Sequence, residues 1–243
     1  MELGLLPKRL LQINATLLCI GLVGLFAIGH SPFRSILWDE SIWKGLVESI
    51  FGISWSDYVT GTFPIQLTRL FEIVSILFLA FGGWCCWSKP SNWGRRFLWV
   101  SAWLILILAL WNWRSQAWRF PQLLEHGARV GSLFLIVGVF YEQWSRSRVI
   151  RFSEILVAAT FVGHGLFALG WWPRPGHFVD MTIVLMQVSE DQAILFLQLV
   201  GWLDLITAVM ILFRLPGSGL ALWYMVFWGF ATALARVVTN FYV

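Results

Sequence analysis

Two carboxylates stand inside apolar runs, where a charge is costly: Glu72 in Leu70-Phe71-Glu72-Ile73-Val74 and Asp204 in Trp202-Leu203-Asp204-Leu205-Ile206. An ionised group near the middle of a bilayer costs about 2.5–3.5 kcal/mol on insertion scales, so such an acid is neutralised, paired or functional. Glu72 follows Arg69 by one helical turn, and a packing ion pair is one reading of it. Asp204 has no basic residue before Arg214, which makes it the stronger candidate for a ligand-facing acid. A second constellation, Glu125, His126 and Arg129, opens another apolar run just after Pro121, a residue suited to the first turn of a helix. On one continuous helix Glu125 and Arg129 share a face, and His126 lies one turn before Arg129. The group reads either as an interfacial salt bridge or as a site where an acid, an imidazole and a guanidinium bind a quinone carbonyl or an anion and exchange its proton.

His164 sits in mid-run between Gly163 and Gly165. Small neighbours let another helix or a flat ring approach closely. A paired-histidine haem needs a second His at matching depth, and His30, His126 and His177 all lie nearer the outer surface. A His hydrogen-bonded to another helix is therefore preferred. Cys85-Cys86 and Cys19 read as small apolar residues, since adjacent cysteines are strained disulfide partners. Lys8, Lys44 and Lys89 are the only lysines and none is within an apolar run, which excludes an intramembrane Schiff base. No metal-ligand spacing is present.

The elements that position these groups follow from composition. Of 243 residues, 58% are hydrophobic and 12% charged, with 17 Trp, a profile of a membrane protein and not of a soluble domain. The 17 Lys and Arg give a net charge of +4 but are scattered between apolar runs, so no face suits a nucleic-acid backbone. Seven runs are long enough to cross a bilayer: 10–29, 65–87, 97–113, 122–144, 153–172, 193–213 and 218–240. Lys8, Arg9, Lys89, Arg95, Arg96, Arg146, Arg148, Arg151 and Arg214 fall on one side, the cytoplasm by the positive-inside rule; the N-terminus is then inside and the C-terminus outside. The segment 33–63, dotted with Trp38, Trp43, Trp55 and Tyr58, reads as an amphipathic helix lying as an external lid, or as an ordinary aromatic-belt loop.

An internal repeat is the best signal in the chain. Gly24-Leu25-Phe26-Ala27-Ile28-Gly29 returns as Gly165-Leu166-Phe167-Ala168-Leu169-Gly170, each followed by an outer loop and then a span with an acid in register, Glu72 and Asp204. An even number of spans separates the copies, so the repeats are parallel. The expected fold is an all-α, polytopic bundle of seven transmembrane helices in two parallel repeats: 1–145 with four helices and the external segment, and 146–243 with three.

Phe161-Val162-Gly163-His164-Gly165-Leu166 on one helix and Gly201-Trp202-Leu203-Asp204 on the next resemble the DoxX/MauE group of small membrane proteins, over about residues 153–243 and more weakly 10–144. The Lys that members of that group often carry after the Gly-His-Gly region is Ala168 here and Ala27 in the other copy. The resemblance implies membrane redox work; with no haem pair and no metal-ligand spacing, any redox cofactor is expected to be borrowed from a partner redox subunit or, as a quinone, freely exchanging, none being covalently held. Two function classes follow. One is a subunit or accessory factor of a redox system in a bacterial inner membrane, with quinone near Glu125, His126, Arg129 and His164. The other is a binding or transport module for a small amphiphile or anion between the two repeats, with Glu72 and Asp204 facing it.

Overall fold

The computed structural model describes residues 4–242, with side-chain placement through Thr239. It is all-helical, with no strand among the described residues. Seven helical spans are long and apolar enough to cross a membrane: Leu5–Ala27, Phe63–Cys85, Asn92–Ser115, Phe120–Phe140, Arg146–Leu169, Glu190–Leu212 and Ser218–Thr239. Seven was the number expected, and the chain is an integral membrane protein. With no water inside a bilayer, helices are the form that pairs every backbone group within its own segment.

The chain divides into two compact units. The first comprises residues 1–115 and 129–149, the second 116–128 and 150–243. The segment 116–128, grouped by the sequence reading with the first repeat, thus belongs to the second unit.

In the first unit, α1 (Leu5–Ala27) packs along α5 (Phe63–Cys85), and α6 (Asn92–Ser115) lies beside α5. Small residues and side-chain hydrogen bonds set these contacts, as expected where lipid competes with apolar side chains. A Cβ at Gly83 would meet that of Cys19 at 3.3 Å, and one at Gly82 would meet Ser101 Oγ at 2.7 Å. The Gln12 amide donates to the Cys86 carbonyl at 2.6 Å, and Asn14 reaches Ser132 on α8 (Gly127–Phe140) at 2.9 Å. All three cysteines are buried free thiols.

The segment 33–63 is not one amphipathic helix. It forms α2 (Phe33–Leu37), α3 (Glu40–Leu46) running into a π-turn at Val47–Phe51, and α4 (Trp55–Thr60). The breaks are local chemistry. Asp39 and Ser54 accept backbone N–H groups and restart the chain as N-caps, while Gly52, at φ 65°, takes the left-handed conformation that ends the π-turn. The buried Tyr58 hydroxyl donates to the Leu37 carbonyl at 3.2 Å, and Arg114 of α6 pairs with Asp39 at 3.0 Å, pinning the segment at two points.

The second unit holds α7 (Phe120–Glu125), α9 (Arg146–Leu169, from residue 150 on), α10 (Gly176–Met186), α11 (Glu190–Leu212) and α12 (Ser218–Tyr242). A capping box, Ser189 with Gln192, starts α11, with Glu190 and Asp191 in its positive first turn. Helix α10, only 11 residues, packs on α11 and α12. At 1.5 Å per residue it is too short to cross a bilayer.

Candidate functional site

The site grows out of two glycine contacts that flank one histidine. At Gly163 a Cβ would lie 2.6 Å from the Pro121 carbonyl and 2.7 Å from the Glu125 nitrogen, so α7 rests directly on the backbone of α9. At Gly165 a Cβ would lie 2.9 Å from the Gly201 carbonyl, and at Gly201 one would lie 2.9 Å from the Gly165 carbonyl. Helices α9 and α11 therefore cross backbone to backbone, a separation that only glycine permits. His164 sits between these contacts, and Asp204 lies one turn beyond Gly201.

The first contact brings Glu125 to His164: Oε1 lies 3.0 Å from the imidazole Nδ1. That oxygen is buried and takes no hydrogen bond among the described residues, which leaves the 3.0 Å contact with His164 as its compensation. With Nδ1 turned to the carboxylate, Nε2 is the ring atom left to meet anything else. The second contact places Asp204, 2% exposed, beside α12, where the Tyr224 hydroxyl donates to its Oδ1 at 2.8 Å.

One member of each pair borders a cavity of about 620 Å³ lined by α9, α10, α11 and α12. His164 and Asp204 are on its wall. Phe161, Phe178, Phe196 and Trp228 make it aromatic; Thr160, Thr182 and Thr232 add hydroxyls, and Arg236 a guanidinium. Each of those Thr hydroxyls donates to a backbone carbonyl one turn earlier in its own helix, at 2.8–3.0 Å, so they are satisfied locally. Volumes of about 300–1,000 Å³ with mostly apolar walls and a few convergent polar groups are usual for small-molecule sites.

The candidate residues part company here. His164 and Asp204 share the cavity, and Glu125 supports it from behind His164. The trio Glu125, His126 and Arg129 does not form one helical face, because the helix is interrupted: His126 is the C-cap of α7 and α8 begins at Gly127. Arg129 is exposed on α8 and falls in the first unit. Glu72 is also in the first unit, 4% exposed, with both oxygens taken: Ser31 Oγ donates to Oε1 at 2.7 Å and Arg69 to Oε2 at 2.9 Å. It has the geometry of a structural acid, and the cavity lies within the second unit alone.

Tyr224 and Arg236 escape the sequence reading. The Tyr224 hydroxyl is polar, but nothing local marks its partner, 20 residues away across a helical hairpin. Arg236 does carry a signal: Trp228, Thr232 and Arg236 recur every four residues and so lie on one face of α12.

Comparison with protein-family models, with curated proteins and with solved structures yields no match.

Proposed function

We propose that this protein binds a small lipophilic molecule with a polar head, taken from the membrane into the second unit. The observation that carries this reading is the cavity of about 620 Å³ bordered by His164 and Asp204, two ionisable side chains of a kind that is rare and costly in membrane spans. The amphiphile-binding class is thereby preferred, and the reading puts its site in the second unit instead of between two repeats. The quinone reading, as a subunit of a redox system beside a partner subunit, stands second. It is favoured by the contact of Glu125 with His164 Nδ1, since an imidazole so backed is suited to meet a carbonyl or hydroxyl through Nε2. The resemblance to the DoxX/MauE group is part of that second reading, as is placement in a bacterial inner membrane.

Two features support a duplicated ancestry for the chain. Both copies of the repeated hexapeptide end in the same cap, with Gly29 at φ 80° and Gly170 at φ 79°, and with His30 N donating to the Leu25 carbonyl and Trp171 N to the Leu166 carbonyl. Each is followed by a span carrying a buried acid.

The test is saturable binding of radiolabelled decanol and decyl-quinone to the protein in phosphatidylcholine nanodiscs, corrected for empty discs. Gly229 borders the cavity and a Cβ there meets nothing within 4 Å, so Gly229→Phe starts its side chain from open space and directs bulk at the cavity. Saturable binding that this variant abolishes supports the reading. Binding absent from the wild type, or untouched in Gly229→Phe, removes it.

A further inference from the structure

Arg236 is the least explained residue in the cavity wall. It lies in the last turn of the span Ser218–Thr239, exposed, on the same face as Trp228 and Thr232, and it borders the cavity. Among the described residues its guanidinium makes no hydrogen bond and no ion pair. Three carboxylates of this unit are engaged elsewhere or exposed: Asp204 accepts from Tyr224, Glu125 contacts His164, and Asp180 of α10 is exposed without an ion pair to Arg236. A guanidinium is permanently charged and presents a planar fork of donors suited to carboxylate or phosphate. Exposed on the last turn of its span, Arg236 is open to a partner from outside the described residues.

What that partner looks like follows from the rest of the wall. Between Arg236 and Trp228 are two turns of α12, about 12 Å along the axis. On α12 the wall over that length is made of small residues, with Thr232 the polar one among them, and its hydroxyl is already spent on the Trp228 carbonyl at 3.0 Å. Small residues, Gly229 and Ala235, keep this side of the helix thin. A cationic group at one end of this face of α12 and small or apolar side chains along the rest match the two ends of an amphiphile.

We infer that the cavity holds an anionic amphiphile, its carboxylate or phosphate head on the Arg236 guanidinium and its apolar body lying along α12 toward Trp228. This rests on the binding function proposed above and names the ligand's chemical class. The head group has two sources, a free lipophilic acid or the phosphate of a membrane lipid, and both present the same chemistry to Arg236.

Decanoate and decanol, matched in chain and differing in charge, separate the terms. In phosphatidylcholine nanodiscs the wild-type protein should bind decanoate roughly tenfold more tightly than decanol, the worth of about one charge-assisted hydrogen bond. Arg236→Gln should bring decanoate down to the decanol level without changing decanol, and Arg236→Lys should keep part of the preference. Repeating the measurement in discs containing phosphatidylglycerol identifies the source. Loss of decanoate binding in wild type but not in Arg236→Gln means that lipid phosphate occupies the same place, whereas unchanged binding means a free acid. Equal affinity for decanoate and decanol, or a preference that survives Arg236→Gln, overturns the inference while leaving the cavity's binding function standing. Failure of both probes to bind removes the function itself.

Discussion

Asp204 and Tyr224 make the tightest statement about single residues. A buried acceptor that loses its donor keeps the cost of its dehydration, about 1–3 kcal/mol, and Asp204 is 2% exposed with Tyr224 as its hydroxyl donor. Tyr224→Phe should therefore lower the thermal stability of the purified protein by about that amount. Phe keeps the ring, so an unchanged unfolding midpoint would mean that the hydrogen bond carries no weight. A second test uses His177, at the start of α10. Its ring, edge-on to Phe178 at 4.9 Å, is held below the ordinary imidazole value of 6.5, first by partial loss of water and then by the Arg236 guanidinium. The unfolded imidazole takes its proton at higher pH than the folded one, so stability present above about pH 6.5 declines as the pH falls through that value toward the lower folded one. In Arg236→Gln the His177 titration, followed by NMR of ring-labelled histidine, should move upward. A titration that stays in place would separate the two residues. The ionisable groups at issue were legible as types out of place, Asp204 and His164 above all. Their partners were not, because Glu125 and Tyr224 come from other helices and spacing along the chain says nothing of a contact across it.

At the level of elements, hydropathy made the seven spans readable, since a bilayer tolerates few departures from an apolar helix of fixed length. The bounds differ for a simple reason: apolar runs stop at a charge, but helical hydrogen bonding does not. The third span starts at Asn92 and not 97, carrying Arg95 and Arg96 in its opening turns, and the fifth starts at Arg146 and not 153. The external segment was unreadable as a single helix because caps at Asp39 and Ser54 outweigh a helical pattern that is only intermittently apolar. The repeated hexapeptide supplies a direct comparison of like letters in unlike settings. Gly165 opens one copy and touches the Gly201 carbonyl; Gly24 opens the other and a Cβ there meets nothing within 4 Å. Gly201→Ala or Gly165→Ala should cost about 1–3 kcal/mol through overpacking and weaken ligand binding by spreading α9 from α11. Gly24→Ala should cost nothing and gain up to about 1 kcal/mol of helix propensity. Parallel thermal denaturation in one detergent decides it, and equal effects at Gly24 and Gly165 would mean that the crossing of α9 and α11 is not held by contact.

For the molecule as a whole, the distribution of Lys and Arg proposes a cytoplasmic N-terminus. A reporter inserted after Gly217, beside Arg214, should then be active in the cytoplasm, and one inserted after Pro173 outside. The opposite pair of signals would invert the topology without touching the cavity argument. The sequence reading divided the chain at 145/146, because a repeat is read as a contiguous block; the compact units instead exchange a segment, 116–128 joining 150–243. That exchange has a consequence for how the protein is made. A chain leaving the ribosome delivers Glu125 well before His164, so the carboxylate passes through biogenesis without the imidazole it later contacts at 3.0 Å. Along the chain, residues 129–149 of the first unit separate the two parts of the second, so no single cut of the gene yields both units whole.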